Sequence, residues 1–245
     1  MTGVALFDIH YPYQDKNALN AVCQFISDVK PEILVYGGDQ LDQTPVSHWL
    51  VNNLRDREGK RLKTDYDNFN SDILSRMEKL SNWKEKVWII GNHEYWIEKY
   101  IDEHPELEGL IEPEGYFDLK KRGYKIIPFN SCYRIGRMSI IRGLYINQFH
   151  AKKTLDTWGE SSCVYYGHKH DFQVYSAIFR GGDGLPRLAS SCGCLCNLNP
   201  DFKKGTPNNW CHGFLYFQVR RDGTFTSIVI PIINGRFSFN KKTYG

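Results

Sequence analysis

Five short polar clusters built from Asp, His and Asn constrain this chain more than any other feature of its sequence. Four of them closely follow apolar runs, where a β-strand would end. The clusters are Asp8-Ile9-His10, Gly38-Asp39-Gln40-Leu41-Asp42, Gly91-Asn92-His93-Glu94, His150 and Gly167-His168-Lys169-His170. A strand that ends in this way delivers its polar residues to the carboxyl edge of a sheet, and these residue types are ligands that divalent metals take from proteins. The clusters therefore predict a metal site at a sheet edge.

Hydrophobic periodicity predicts alternating strands and helices through the first two thirds of the chain. The predicted strands are 4–7, 33–36, 87–90, 124–128, 138–141 and 163–166. The predicted helices are 18–30, 71–80 (within a polar and helical region at 45–80), 95–103 and 148–158. From residue 173 onward, period-two runs at 173–179, 213–219 and 224–230 indicate antiparallel strands, with a hairpin turn at Asp222-Gly223. We therefore expect an α/β fold closed by antiparallel C-terminal strands.

The composition is ordinary for a globular protein, with 41% hydrophobic and 24% charged residues. A length of 245 residues fits one large α/β domain over 1–245 better than two small ones. The net charge of +3 is too small to indicate nucleic acid by itself. No window reaches the roughly 18 apolar residues of a membrane span, and the first residues lack a signal-peptide pattern. Seven cysteines without a secretory signal indicate reduced thiols, so we expect a cytoplasmic protein without membrane contact.

In this order, and at strand ends, the clusters resemble the signature of the calcineurin-like metallophosphoesterases. The family pattern is DxH, GDxxD, GNHE, a lone His and GHxH, and four of these five blocks stand here without substitution. The resemblance covers residues 8–170. It implies a two-sheet β-sandwich flanked by helices, and a metal-dependent phosphoric ester hydrolase.

The resemblance also implies a role for each matched residue. Two divalent ions, with Mn²⁺ expected first and Fe, Zn or Ni as alternatives, would share a hydroxide that attacks phosphorus, and Asp39 would bridge them. The ligands of the first ion would include Asp8, His10 and His170, and those of the second would include Asn92, His168 and one further His. His93 would protonate the leaving oxygen as general acid. Asp42 would orient His93 or His10 through a hydrogen bond.

The fourth block departs from the family pattern. The predicted strand 138–141 ends in Arg142-Gly143, so Arg142 occupies the position where the lone His is expected, and His150 lies at the start of the next helix. Three interpretations of His150 stay open: a ligand of the second ion, a contact to substrate phosphate, or a helix-cap residue. Arg142 is either a bidentate phosphate clamp or a fixed cation that replaces the second metal. Occupancy of the second metal site is therefore an open question.

The substrate class is less constrained than the chemistry. A phosphomonoester and a phosphodiester would use the same residues, and a nucleotide or nucleic acid is favoured over a phosphoprotein. This preference depends on aromatic residues beside the motifs, Tyr11, Tyr13, Tyr95 and Trp96, and on the basic stretch 55–63. Two alternatives remain, a phosphoprotein phosphatase and a degenerate member of the fold that binds a partner protein.

The run Cys192-Gly193-Cys194-Leu195-Cys196, with Cys211 and His212 downstream, is a weaker candidate for zinc. Its CxCxC spacing differs from the usual CxxC knuckle. Alternate thiols on an extended run are more often small buried side chains, so packing is the favoured interpretation.

Overall fold

The computed structural model describes residues 1–47, 50, 53–159, 163–177, 187–200, 203 and 205–245. The strands are β1 (Thr2–Leu6), β2 (Ile33–Tyr36), β3 (Glu85–Ile89), β4 (Tyr124–Ile127), β5 (Cys132–Ile135), β6 (Met138–Ile141), β7 (Cys163–Tyr166), β8 (Val174–Ala177), β9 (Arg187–Ser191), β10 (His212–Val219), β11 (Phe225–Ile232), β12 (Phe237–Phe239) and β13 (Lys242–Tyr244). The helices are α1 (Lys16–Val29), α2 (Leu54–Arg57), α3 (Leu62–Phe69), α4 (Ser75–Glu78), α5 (Asn92–Glu103), α6 (Pro113–Tyr116) and α7 (His150–Trp158).

The first sheet contains six strands in the order β11-β10-β1-β2-β3-β4. β1 to β4 run parallel, so that Ala5 pairs with Val35 and Val35 with Val87. β10 pairs antiparallel with both β1 and β11, which confirms the predicted antiparallel C-terminal strands. The hairpin turns at Asp222-Gly223 as predicted, and the Asp222 carboxylate accepts a hydrogen bond from the Thr224 amide at 2.9 Å.

The second sheet contains five strands in the order β5-β6-β7-β9-β8. β6, β7 and β9 are parallel, and the two edge strands are antiparallel to their neighbours. The register places Ile141 opposite Tyr166, so the residues that follow β6 and β7 meet at one edge. The parallel strands of each sheet thus deliver their C-terminal loops to a common side.

Three apolar layers hold the sheets and helices together. The inter-sheet layer includes Val35 and Ile89 from the first sheet with Ile140 and Tyr165 from the second. α1 packs on the outer face of the first sheet, where Phe25 contacts Phe214 at a centroid distance of 5.3 Å. α7 covers the second sheet in the same way. The expected fold, two sheets flanked by helices, is confirmed. Among the described helices, none combines the length and apolar character required to cross a bilayer.

Most predicted elements lie within two residues of the observed ones. α5 begins three residues early because Gly91 is its N-cap, and the Glu94 carboxylate accepts a hydrogen bond from the Gly91 amide at 2.9 Å. The predicted helix 71–80 is divided between the π-helix Asn70–Leu74 and α4. Residues 48, 49, 51 and 52 of the predicted region 45–80, and 178 and 179 of the predicted strand 173–179, lie outside the described residues. The short strands β5, β9, β12 and β13 were not predicted.

Candidate metal centre

Four of the five polar clusters meet at the carboxyl edge of the parallel strands. The loop after β1 is bonded to the loop after β2, because the Asp8 amide donates to the Gly38 carbonyl at 3.1 Å. The His93 amide donates to the Asp39 carboxylate at 3.1 Å, and the His168 amide donates to the Asp8 carboxylate at 2.7 Å. The expected convergence of these clusters at a sheet edge is therefore present.

The backbone of this edge is held in an uncommon conformation. Five candidate site residues have φ between 49° and 76°, in the left-handed region; these are Asp8, His10, Asp39, His168 and His170. Non-glycine residues adopt this region rarely, and it costs of the order of 1–3 kcal/mol each when the surrounding structure enforces it. Concentration of this strain in neighbouring polar residues is typical of functional sites, so this edge is the candidate site.

One carboxylate and two imidazoles face a common point. Asp8 Oδ1 lies 3.3 Å from His170 Nε2 and 3.8 Å from His10 Nε2, and the two Nε2 atoms are 3.3 Å apart. All three side chains are buried, and in the described part of the chain Asp8 Oδ1 has no hydrogen-bond partner. The unsatisfied carboxylate oxygen and the two ring nitrogens, which face each other, form a donor set that fits a divalent cation.

The histidines of this donor set are strongly influenced by neighbouring anions. Burial lowers the pKa of His170, but Cys196 and Asp8 outweigh it and raise this pKa to about 10. Burial likewise lowers the pKa of His10, and a hydrogen bond to Asp42 with the charges of Cys196 and Asp39 raises it to about 9. The site therefore has a negative potential that favours positive charge.

Arg142 occupies the other half of the site. Its guanidinium contacts the Asp39 carboxylate and lies 3.9 Å from Asp8 Oδ1, and both Arg142 and Asp39 are buried. Burial would raise the pKa of Asp39, but the charges of Arg142, His93 and His10 hold it well below its usual range. Gly38 makes room for this arrangement, because a Cβ at this residue would overlap the Arg142 side chain. The φ of Gly38 is +107°, which also favours glycine here. Arg142 is thus a fixed positive charge on the carboxylate that the resemblance assigns to the metal bridge.

The residues expected at the second ion are neutral donors, and it is the charge of Arg142 beside them that opposes a second cation. Burial and the nearby Arg142 lower the pKa of His168 to about 3. Asn92 Oδ1 is buried without a hydrogen-bond partner in the described residues. A second dication would lie beside a guanidinium that already neutralises Asp39, and like charges in a buried site repel strongly.

His150 does not join the cluster, which corrects the expectation that it completes the second ion. It is fully buried at the start of α7, where its Nδ1 lies 2.7 Å from the Tyr166 hydroxyl and its Nε2 3.3 Å from Asp171 Oδ2. Both ring nitrogens of His150 therefore have a hydrogen-bond partner within the protein. His150 is the first residue of α7, after the N-cap Phe149, so it is not the helix cap, and we leave it out of the proposed ligand set.

His93 and Asp42 are in contact at the entrance to the site. His93 Nδ1 lies 2.7 Å from the Asp42 carbonyl oxygen, and because a carbonyl only accepts, Nδ1 is the donor. The Asp42 carboxylate lies 3.3 Å from His10 Nδ1. Asp42 is thus positioned to orient both rings. The His93 ring also lies against Trp96, with centroids 3.8 Å apart, which limits its rotation.

Glu94 has a structural role that the sequence analysis did not identify. Its buried carboxylate accepts hydrogen bonds from the amides of Gly91 (2.9 Å), Asp39 (3.0 Å) and Leu41 (3.0 Å). These bonds join the loop after β2 to the start of α5. The GNHE block indicates the capping bond, because a Glu three residues after an N-cap is the capping position. The contacts of Glu94 to residues 39 and 41 are tertiary and have no such pattern.

Replacing Glu94 with alanine is expected to lower the free energy of unfolding by about 3 kcal/mol, because three buried amides lose an anionic acceptor. Glu94→Gln retains one carbonyl acceptor and is expected to lose less. Chemical denaturation of both variants tests this. Equal stability of Glu94→Ala and the parent protein would contradict the assignment.

Cys196 and Trp210 are also close to the centre, although neither was among the predicted site residues. Cys196 Sγ lies 3.7 Å from His170 Nδ1, and the Trp210 ring packs edge-to-face on the same imidazole at 4.3 Å. The CxCxC run was the available signal for Cys196, and it was interpreted as packing. The sequence offers no comparable signal for Trp210.

Known proteins similar to this chain include two phage proteins and one solved structure. No protein-family model matches the sequence. The Gene 54 protein of Mycobacterium phage L5 is 23% identical over 255 residues, covering 98% of this chain and 97% of that protein. The Gene 54 protein of Mycobacterium phage D29 is 23% identical over 249 residues, covering 96% and 95%. A single mutant of Vps29 from Entamoeba histolytica superposes with a TM-score of 0.51 at 11% identity, covering 96% of this chain and 94% of that one. The chain therefore has the mixed α/β, metallophosphoesterase-like fold of Vps29.

Proposed function

We propose that this protein hydrolyses phosphate esters with one divalent cation held by Asp8, His10 and His170. The observation that carries the proposal is the convergence of Asp8 Oδ1 and the Nε2 atoms of these histidines beside the Asp39–Arg142 pair. Mn²⁺ is the proposed ion, and when bound it would polarise a phosphoryl oxygen and lower the pKa of water. The remaining steps belong to the side chains of the protein.

Arg142 supplies the second positive charge of the site. Its Nε and Nη1 atoms are buried and have no hydrogen-bond partner in the described residues, while Nη2 contacts Asp39. A buried guanidinium with unsatisfied donors is costly unless a ligand satisfies them. A phosphoryl group matches these donors in charge and geometry, so Arg142 binds and orients the substrate.

His93 is the proposed general acid. Because its Nδ1 proton is donated to the Asp42 carbonyl, Nε2 is the nitrogen that remains for the substrate. Burial lowers the pKa of His93, although the charge of Asp39 opposes this. An anionic phosphate ester beside the ring favours the protonated form, which then donates its Nε2 proton to the leaving oxygen.

The surroundings favour a nucleotide or nucleic acid as substrate. A cavity of about 600 Å³ is lined by Pro45, Leu54, Arg55, Arg57, Glu58, Lys60 and Arg61. Hydrogen bonds connect it to the site: Lys60 donates to the Tyr13 hydroxyl at 2.5 Å, this hydroxyl lies 3.5 Å from Thr44 Oγ1, and the Thr44 hydroxyl donates to the Asp42 carboxylate. The lining has four basic side chains and one carboxylate, which favours a polyanionic ligand such as a nucleic acid chain.

Two of the aromatic residues beside the motifs do not contribute to the predicted base stacking. Tyr11 is buried against Asp72, and Tyr95 stacks on Phe129.

A partner-binding protein without catalysis is the second candidate. The observation that favours it is the Asp39–Arg142 pair, which removes the anionic bridge that two metals would need. This candidate requires neither a bound cation nor the unsatisfied donors of Arg142.

Metal content and hydrolysis of p-nitrophenyl phosphate and its bis ester, measured together, test the proposal. We expect one divalent ion per chain, loss of hydrolysis on chelation and recovery with Mn²⁺. Asp8→Asn should lose both ion and activity, whereas Asp156→Asn, which alters an exposed carboxylate paired with Lys152, should lose neither. A protein that binds no divalent ion and hydrolyses neither ester would support the partner-binding candidate instead.

A further inference from the structure

A second group of donor atoms lies at the other nitrogen of the His170 ring. Whereas Nε2 contacts Asp8 and His10, Nδ1 is 3.7 Å from Cys196 Sγ. The donor atoms of His170, Cys194 and Cys196 all lie within 4.8 Å of one another, and all three residues are buried. None of the steps proposed above uses the two thiols.

Backbone hydrogen bonds fix the position of these thiols. The Cys194 amide donates to the Cys211 carbonyl at 3.0 Å, and the Cys211 amide donates to the His170 carbonyl at 2.7 Å. His212 Nε2 lies 2.8 Å from the Cys196 carbonyl oxygen. The Leu195 amide donates to the Phe7 carbonyl at 3.2 Å. The run that follows β9 is therefore held between the end of β1 and the start of β10, so the donors are preorganised.

The chemistry of these donors differs from that of the Asp8–His10–His170 set. Two sulfur atoms and one imidazole nitrogen select thiophilic cations such as Zn²⁺ or Cd²⁺, whereas the other set has no sulfur. Tetrahedral zinc with Zn–S near 2.3 Å and Zn–N near 2.0 Å places its ligand atoms about 3.5–3.8 Å apart. The observed Cys196–His170 distance of 3.7 Å matches this spacing.

We propose that Cys194, Cys196 and His170 Nδ1 bind one thiophilic divalent cation. Both sulfurs bind as thiolates, so any proton that they still carry is released to solvent when the cation binds. The three protein ligands leave one coordination position for water or another small ligand. This site does not depend on the proposed hydrolase function, because none of its thiols takes part in it.

The two sites share the His170 ring and therefore compete. A neutral imidazole offers one lone pair, so an ion on Nε2 leaves the proton on Nδ1, and an ion on Nδ1 leaves it on Nε2. Binding of a thiophilic cation should consequently displace the ion of the other site. A soft metal would then be an inhibitor of any activity that needs the other site.

Titration of the reduced full-length protein with Cd²⁺ tests the proposal, with the ultraviolet thiolate-to-cadmium charge-transfer band as readout. We expect the band to saturate at one ion per chain, and to be lost in Cys194→Ala/Cys196→Ala and weakened in each single variant. Cys192→Ala, which changes a neighbouring buried thiol outside the donor group, should keep the full band.

Two further measurements separate this proposal from the function proposed above. Asp39→Asn should retain the cadmium band whether or not the protein is a hydrolase, and excess Mn²⁺ should weaken Cd²⁺ binding to the parent protein. Circular dichroism of each variant establishes that it is folded. Absence of the band in the parent protein, or an undiminished band in the folded double variant, would overturn the thiol site and leave the proposed function untouched.

Discussion

Replacing His93 with alanine is expected to lower kcat by roughly 10²–10⁴-fold on an alkyl phosphate ester, the range typical of a lost general acid. In the proposed mechanism His93 donates to the leaving oxygen from Nε2, because Nδ1 donates to the Asp42 carbonyl. Bound metal should be unchanged because the proposed ligands are Asp8, His10 and His170. Steady-state kinetics with elemental analysis measures both quantities.

The leaving group provides the control for this prediction. Nitrophenolate needs little protonation, so the loss in His93→Ala should be much smaller for p-nitrophenyl phosphate than for an alkyl ester. Trp96→Ala removes the ring that packs on His93 and should lower kcat less, because the acid itself remains. If His93→Ala emptied the site of metal, His93 would be a ligand rather than an acid.

Arg142→Ala is expected to destabilise the fold by about 3–5 kcal/mol, because removing one partner of a buried ion pair leaves the other charge uncompensated. The Asp39 carboxylate is fully buried, and Arg142 contacts it directly, whereas His10 Nε2 lies 3.8 Å away. Denaturant unfolding measures the loss. Mn²⁺ should restore part of the stability, because a cation that binds beside Asp39 replaces the missing charge.

Two other substitutions of Arg142 provide the controls. Arg142→Lys keeps the charge, so it should retain more stability than Arg142→Ala. It loses the planar set of guanidinium N–H donors, so phosphate binding should weaken. Arg142→His restores the ligand that the family pattern expects, and should raise the metal content from one ion per chain towards two. Two tightly bound ions in the parent protein would contradict the assignment of Arg142 as a substitute cation.

The sequence alone determined that three of the polar clusters meet. Each of these three closely follows an apolar run, and parallel neighbouring strands present their carboxyl ends at one edge, so β1, β2 and β3 deliver Asp8, Asp39 and Asn92 to a common region. β7 lies in the second sheet, so the arrival of His168 at this region depends on how the two sheets pack. The same local patterns predicted the flanking helices and the C-terminal hairpin, because periodicity and turn chemistry depend on residues close in sequence.

Only the tertiary structure decided which residues touch. Arg142 and Asp39 are 103 residues apart, and their pairing depends on how the two sheets pack. The β6–β7 register brings Arg142 level with Gly167, while α7 directs His150 towards Tyr166 and Asp171 instead of the cluster. Cys196 lies beside His170 because the run after β9 pairs with residues distant in sequence, Cys194 with His212 at the start of β10 and Cys196 with Gln14. Such contacts are set by long-range strand register and layer packing, which no local sequence pattern encodes.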